Sequence, residues 1–268
     1  MKKIIFSAIF LAQVITACTK KSNTGPDTSK ATLLITRITN NTAGESGYSQ
    51  ALAEFAYDGK QLTQAKIYSY DGTKLSNTET HTFNYNTQGQ LTGSTITHSV
   101  QNSYDYVSST VTYTGNNISK ITFYKTGNVV GSDNTLSYSG DKLTRWFNPN
   151  NVDLAYSYDN SGNNIKQVAT EYVNGKADGS VYTDQYTTFD SKRNLTAALP
   201  NWIYFRVCNQ EEGLGYIPGT NNPLTGSEDG TNVYYSYGYN IYNYPSGVSI
   251  VSGVKTTSYT YGYKIIDN

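Results

Sequence analysis

Few residues in this 268-residue chain could do chemistry. His81 and His98 are the only imidazoles and Cys18 and Cys208 the only thiols, while Glu211, Glu212, Glu228 and Asp229 fall in a stretch, 209–232, with no basic residue. Histidine becomes functional where partners converge on it. If Tyr85 faces Leu91 across a turn, odd-numbered positions on the two strands share a face. His81 then points away from His98, which excludes a shared metal site and leaves both as packing or solvent-facing residues. Cys208 closes the apolar run Trp202–Cys208, which reads as a strand. With no base or cation supplied beside it, this thiol reads as a small core hydrophobe. The four acids lack the DxDxDG spacing and the roughly six to eight converging oxygens of a calcium site, so they read as solvated. Gly213 to Gly219 has neither the spacing nor the strand–helix context of a nucleotide loop. The expectation is no catalytic residue, no metal ligand and no cofactor.

The elements that must carry these residues repeat one pattern: a strand ending in aromatic-x-Tyr, a polar turn, then Leu or Ile and a Thr-rich strand. Seven copies run Tyr57 to Leu62, Tyr70 to Leu75, Tyr85 to Leu91, Tyr113 to Ile118, Tyr138 to Leu143, Tyr158 to Ile165 and Phe189 to Leu195. Four of them place Gly first in a two-residue loop, at Gly59, Gly72, Gly115 and Gly140. A type II′ turn needs positive φ there, so the glycines set the register. Each Tyr then faces its Leu or Ile as a cross-strand pair. The copies are too unevenly spaced for a solenoid. Apolar residues three and five places after the anchor, such as Ala65 and Ile67 after Leu62, have the wrong parity for a flat strand. Either a bulge follows the turn, or both faces of the sheet are partly covered. The expected fold is all-β, an antiparallel up-and-down meander of hairpins, curled or barrel-like.

Composition supports this and excludes other classes. The chain holds 26 Tyr and 23 Gly and is only 15% charged, a pattern suited to pleated sheet. Tyrosine also offers amphipathic faces on which a glycan or peptide ligand could stack. Removing residues 1–17 takes away Lys2 and Lys3 and no acid, leaving 18 basic against 20 acidic residues, a formal charge of −2. There is no electrostatic footprint for nucleic acid and no polybasic membrane patch.

The address is in the first 18 residues. Lys2 and Lys3 precede the short apolar run Ile4 to Ile15, and Ile15-Thr16-Ala17-Cys18 resembles the lipobox of bacterial lipoproteins. That resemblance implies a signal peptide over 1–17 and acylation of Cys18, and two or more acyl chains give a stable membrane anchor. Residues 18–30 read as a flexible tether and 31–268 as a single β-meander domain with a 209–232 loop. Lys20 and Lys21 precede the first acid of the tether, Asp27. In lipoproteins of the Bacteroidota type this order favours an outer-membrane protein facing the periplasm over one on the cell surface, the surface side staying open.

Tyr237-Gly238-Tyr239-Asn240, Asn243-Tyr244-Pro245, Asn221-Asn222-Pro223 and the closing Tyr259-Thr260-Tyr261-Gly262-Tyr263 resemble motifs of Bacteroidota lipoproteins of unknown function. Those proteins are built from Tyr-Asp-type hairpin repeats, distantly similar to those of Rhs-like proteins. Asn243 stands where the pattern has Gly, a replacement the left-handed region tolerates. The resemblance implies a barrel-like or strongly curled antiparallel sheet and no activity. The resulting expectation is a non-enzymatic binding or envelope scaffold protein held to the outer membrane through Cys18. The alternative is a periplasmic or surface hydrolase using the acidic 209–232 loop.

Overall fold

The computed structural model describes residues 31–103, 105–208 and 217–266; Cys18, the signal peptide and the tether lie outside them. Sixteen strands follow one another: β1 Thr32–Asn40, β2 Gln50–Asp58, β3 Gln61–Asp71, β4 Lys74–Tyr85, β5 Leu91–His98, β6 Tyr106–Thr114, β7 Asn117–Lys125 and β8 Val129–Ser139. The second half comprises β9 Lys142–Asn148, β10 Val152–Tyr158, β11 Asn164–Val173, β12 Lys176–Phe189, β13 Pro223–Glu228, β14 Thr231–Tyr239, β15 Pro245–Ser252 and β16 Lys255–Ile266. Every strand pairs antiparallel with its sequence neighbours, and β1 pairs with β16. The up-and-down meander is therefore a closed barrel.

Turn chemistry sets the register as the glycines require. Gly59, Gly72, Gly115 and Gly140 have φ of 56°, 58°, 60° and 63°, and Tyr57, Tyr70, Tyr113 and Tyr138 lie opposite Leu62, Leu75, Ile118 and Leu143. A bulge follows each of these turns. Tyr57 pairs with Leu62 but Ala56 with Gln64, so Thr63 is the extra residue; Thr92 and Thr144 hold the same place after Leu91 and Leu143. The bulge turns Leu62, Ala65 and Ile67 to one face, and all three are buried. At these bulges the threonine hydroxyl donates to a carbonyl of the preceding strand: Thr63 to Ala56, Thr92 to Asn84 and Thr144 to Ser137, each at 3.1 Å. The Leu-Thr pair of the repeat thus has a physical meaning, since Leu fills the core and Thr satisfies the interrupted ladder.

The turn tyrosines do similar work on one rim. Tyr85 Oη donates to the carbonyl of Leu62 at 2.6 Å and Tyr158 Oη to that of Leu143 at 2.8 Å, while Tyr57 Oη donates to Ile35 at 2.7 Å. Each ring covers the core and its hydroxyl finds a partner at the barrel wall, as a buried tyrosine requires. The Tyr70 copy belongs to the opposite rim, where its anchor Leu75 is exposed.

Two segments differ from expectation. Trp202–Cys208 is a helix, α1, not a strand. It follows a short 3-10 turn, Leu195–Ala198, capped by the Asn194 side chain, so the Phe189–Leu195 copy is no hairpin but the start of an inward excursion. Ile203, Tyr204, Phe205 and Val207 of α1 join the single apolar cluster that fills the barrel. A wholly buried helix is apolar all round and shows no periodicity to separate it from a buried strand. The expected 209–232 loop is also shorter: 223–228 is strand β13, paired with both β12 and β14.

The excursion is fastened where it leaves the rim. Asn222 Nδ2 donates to Asp190 Oδ2 and to the carbonyl of Arg193, Asn221 Nδ2 to the carbonyl of Lys192, and Arg193 to Tyr244 Oη. The Asn-Asn-Pro and Tyr-Pro motifs serve this clasp. Asn243 has φ of 62°, the left-handed conformation its place in the turn demands.

Candidate functional site

α1 brings polar groups of the barrel wall together inside. Tyr204 is fully buried, with its ring edge-on to Phe83 at 5.3 Å. Its Oη lies 2.9 Å from His81 Nδ1, 2.7 Å from Ser94 Oγ and 3.3 Å from Ser109 Oγ. On the far side of His81, Nε2 is hydrogen-bonded to Glu79 Oε1. Cys208, the last residue of α1, is half-buried and sets Sγ 3.5 Å from Glu79 Oε1 and 3.8 Å from His81 Nε2.

This arrangement corrects the expected placement of the histidines. Tyr85 does face Leu91, but the bulge at Thr92 advances the register by one, so Asn84 pairs with Gly93 and Glu79 with His98. His98 consequently shares the inner face with His81, and its Nδ1 lies 3.9 Å from Glu79 Oε2. His98 Nε2 is 3.0 Å from the carbonyl of Tyr106. Burial pushes the Glu79 carboxyl up, yet the hydrogen bond and charge of His81, with His98 and the Cys208 S–H behind them, hold it below its ordinary value. Burial, then the Glu79 charge, pushes the Cys208 thiol well up. A thiol so placed is a poor nucleophile.

The neighbouring face of α1 lines a cavity of about 190 Å³ with Asp184, Glu228, Arg206, Tyr186, Tyr235 and Tyr237 on its walls. Asp184 and Glu228 are cross-strand partners. Burial first, then Glu228, pushes the Asp184 carboxyl up to about 6. Tyr235 Oη donates to Glu228 Oε1 at 2.8 Å, and Gln167 Nε2 donates to Tyr186 Oη at 3.2 Å. Arg206 Nε is buried without a hydrogen-bond partner. Two acids, a guanidinium and three tyrosines form a polar, aromatic recess able to bind a ligand with several hydroxyl or amide groups.

Of the described acids in the expected loop, Glu228 lines this recess and Asp229 does not. Asp229 sits in the β13–β14 turn, its N–H donating to the carbonyl of Thr183, and Glu211 and Glu212 lie outside the described residues. Glu79, Asp184, Tyr204, Arg206 and Tyr235 drew no notice in the sequence. Glu79 and His81, two residues apart on β4, share a face in any register, and a one-residue shift of β5 would have brought His98 to them, whereas nothing local signals Asp184, which gains its neighbours through α1 and β13.

The outer wall carries rows of threonine, with Tyr234 and Val251, opposite each other on β14 and β15, also exposed. Thr78, Thr80 and Thr82 of β4, Thr95 and Thr97 of β5, and Thr110 and Thr112 of β6 alternate with inward residues. Ion pairs between adjacent strands also stand on this wall: Arg37 with Glu54 at 3.0 Å, Lys120 with Asp133 at 2.9 Å and Arg145 with Asp153 at 2.6 Å.

No family model matches the chain, and no curated protein matches it. Among solved structures it is similar to a porin-like protein from Bacteroides uniformis, at 13% identity over 88% of this chain and 97% of that one, with a TM-score of 0.54. A porin-like protein from Bacteroides vulgatus also matches, at 13% identity over 86% of this chain and 98% of that one, with a TM-score of 0.33. The first likeness shows a shared barrel fold.

Proposed function

We propose that this chain is an outer-membrane-anchored lipoprotein whose barrel stands beside the membrane, not within it, as a non-enzymatic binding or scaffold protein of the envelope. One observation carries the reading: an apolar core fills the barrel, and charged pairs and rows of threonine stand on its outer wall. A barrel that crosses a bilayer has the reverse pattern, with an outward apolar band and a polar lumen, and an outward Lys or Arg near the bilayer midplane costs about 2–4 kcal/mol. Here the outer wall carries charged pairs and rows of threonine, and the lumen holds phenylalanine, leucine and α1. Association with the membrane then falls to acyl chains on Cys18. In an even-stranded meander the first and last strands open on one rim. β1 therefore begins at the rim from which the chain turns in to α1. The ligand is a glycan or peptide received in the tyrosine-lined recess.

Exchanging Cys18 for alanine in the full-length chain tests the reading. The variant should move from the membrane pellet to the soluble fraction and remain monodisperse without detergent. If it stays in the pellet or needs detergent, the barrel is a membrane-embedded one and the reading fails.

A second reading, hydrolysis, is favoured by one observation: Asp184, pushed up to about 6, lies beside Glu228, as a general acid beside a base would. Turnover of a glycoside or peptide substrate that is lost on both Asp184→Asn and Glu228→Gln would support it.

A further inference from the structure

We propose that Glu79, His81 and Cys208 form a site for a divalent zinc-class metal ion that pins α1 to the barrel wall. The three ligand atoms all lie within 4.8 Å of one another. Tetrahedral zinc with bonds of roughly 2.0–2.3 Å to oxygen, nitrogen and sulfur sets its ligand atoms about 3.3–3.6 Å apart. The Cys208 Sγ to Glu79 Oε1 separation, 3.5 Å, already has that length, and Sγ to His81 Nε2, 3.8 Å, is close to it. The third edge is the hydrogen bond between His81 Nε2 and Glu79 Oε1, which opens when a metal takes the place of its proton.

The surroundings are those of a metal ligand set. A metal-bound histidine has its other nitrogen held by a hydrogen bond, which fixes the ring and the tautomer. His81 Nδ1 is held in this way by Tyr204 Oη, itself backed by Ser94 and Ser109. With a metal on Nε2, His81 keeps its one proton on Nδ1, where Tyr204 Oη accepts it and turns its own proton to Ser94, while the imidazolium's Nε2 proton leaves to solvent. Glu79 Oε2 faces His98, which is steadied by Tyr106 and Asn77. Thiolate and carboxylate together neutralise a dication, so the buried site carries no net charge once the thiol proton is released to solvent. One oxygen, one nitrogen and one sulfur ligand suit zinc better than magnesium or calcium, which take oxygen alone.

Cobalt(II) serves as a coloured stand-in for zinc. The metal-free full-length chain with Cys18→Ala, which leaves Cys208 as its only thiol, is titrated with Co²⁺ and then with Zn²⁺. One equivalent of Co²⁺ should bind with a thiolate-to-cobalt absorption band in the near ultraviolet, and Zn²⁺ should abolish the band. Further replacement of Cys208 by alanine should remove the band, His81→Gln should weaken binding by at least about 100-fold, and Tyr204→Phe, acting through His81, should weaken it by about 10–100-fold. In case the His81 variant fails to fold, melting is followed as well: Zn²⁺ should raise the melting temperature of the parent and leave that of the Cys208→Ala variant unchanged. Absence of the band in the parent, or equal stabilisation of both proteins by Zn²⁺, overturns the site.

Discussion

Thr63, Thr92 and Thr144 stand at equivalent bulges, and each returns one hydrogen bond to the preceding strand. Replacing any one by valine should cost about 0.5–1.5 kcal/mol. The three lie on different hairpins, so the losses should add, and a triple variant should lose about 1.5–4.5 kcal/mol in a denaturant titration. Glycines separate into two kinds by the same reasoning. An alanine Cβ at Gly59 would meet nothing within 4 Å and would suffer only the left-handed backbone, whereas at Gly93 it would lie 2.1 Å from the carbonyl oxygen of Ser109. Gly59→Ala should cost about 1 kcal/mol, and Gly93→Ala clearly more, measured side by side. Asp184 makes a prediction in pH. Its folded value, about 6, lies above the ordinary 3.8, so its contribution is fullest below 3.8, declines as pH rises to about 6 and is absent above that. Melting of the native chain should therefore show a decline across this window that Asp184→Asn removes.

At the scale of elements, α1 holds the interior together. Phe205 is buried, edge-on to Phe55 at 5.2 Å and to Phe83 at 5.8 Å. Phe205→Ala should cost about 3–5 kcal/mol, read from the denaturation midpoint. The hairpins were legible in the sequence because their information is local: a glycine at the first turn position and a tyrosine opposite a leucine act within six residues. The bulge was legible only as a parity conflict between Leu62 and Ala65. Left open, that conflict assigned His98 to the wrong face, since one inserted residue moves every later side chain across the sheet. Trp202–Cys208 was unreadable for a different reason. Its conformation is decided by the walls that enclose it, and a run of seven apolar-rich residues fits either secondary structure. The recess and the Glu79 cluster depend on that helix and were hidden with it.

At the scale of the whole molecule, the pairing of β1 with β16 has a kinetic consequence. Thr32 opposes Ile266, so the seam joins residues more than 200 positions apart, and closing so long a loop is entropically expensive and slow. Until Lys255–Ile266 arrives, β1 and β15 both present unpaired edges, the condition under which strands recruit the wrong partner. A chain ending at residue 254 should accordingly self-associate on refolding, seen as a concentration-dependent rise in light scattering, and a synthetic peptide of residues 255–266 added in excess should suppress that rise. A chain delivered across a membrane from its N-terminus would face the same constraint in time: it can gather its hairpins as they emerge, but the ring is sealed only once β16 has crossed.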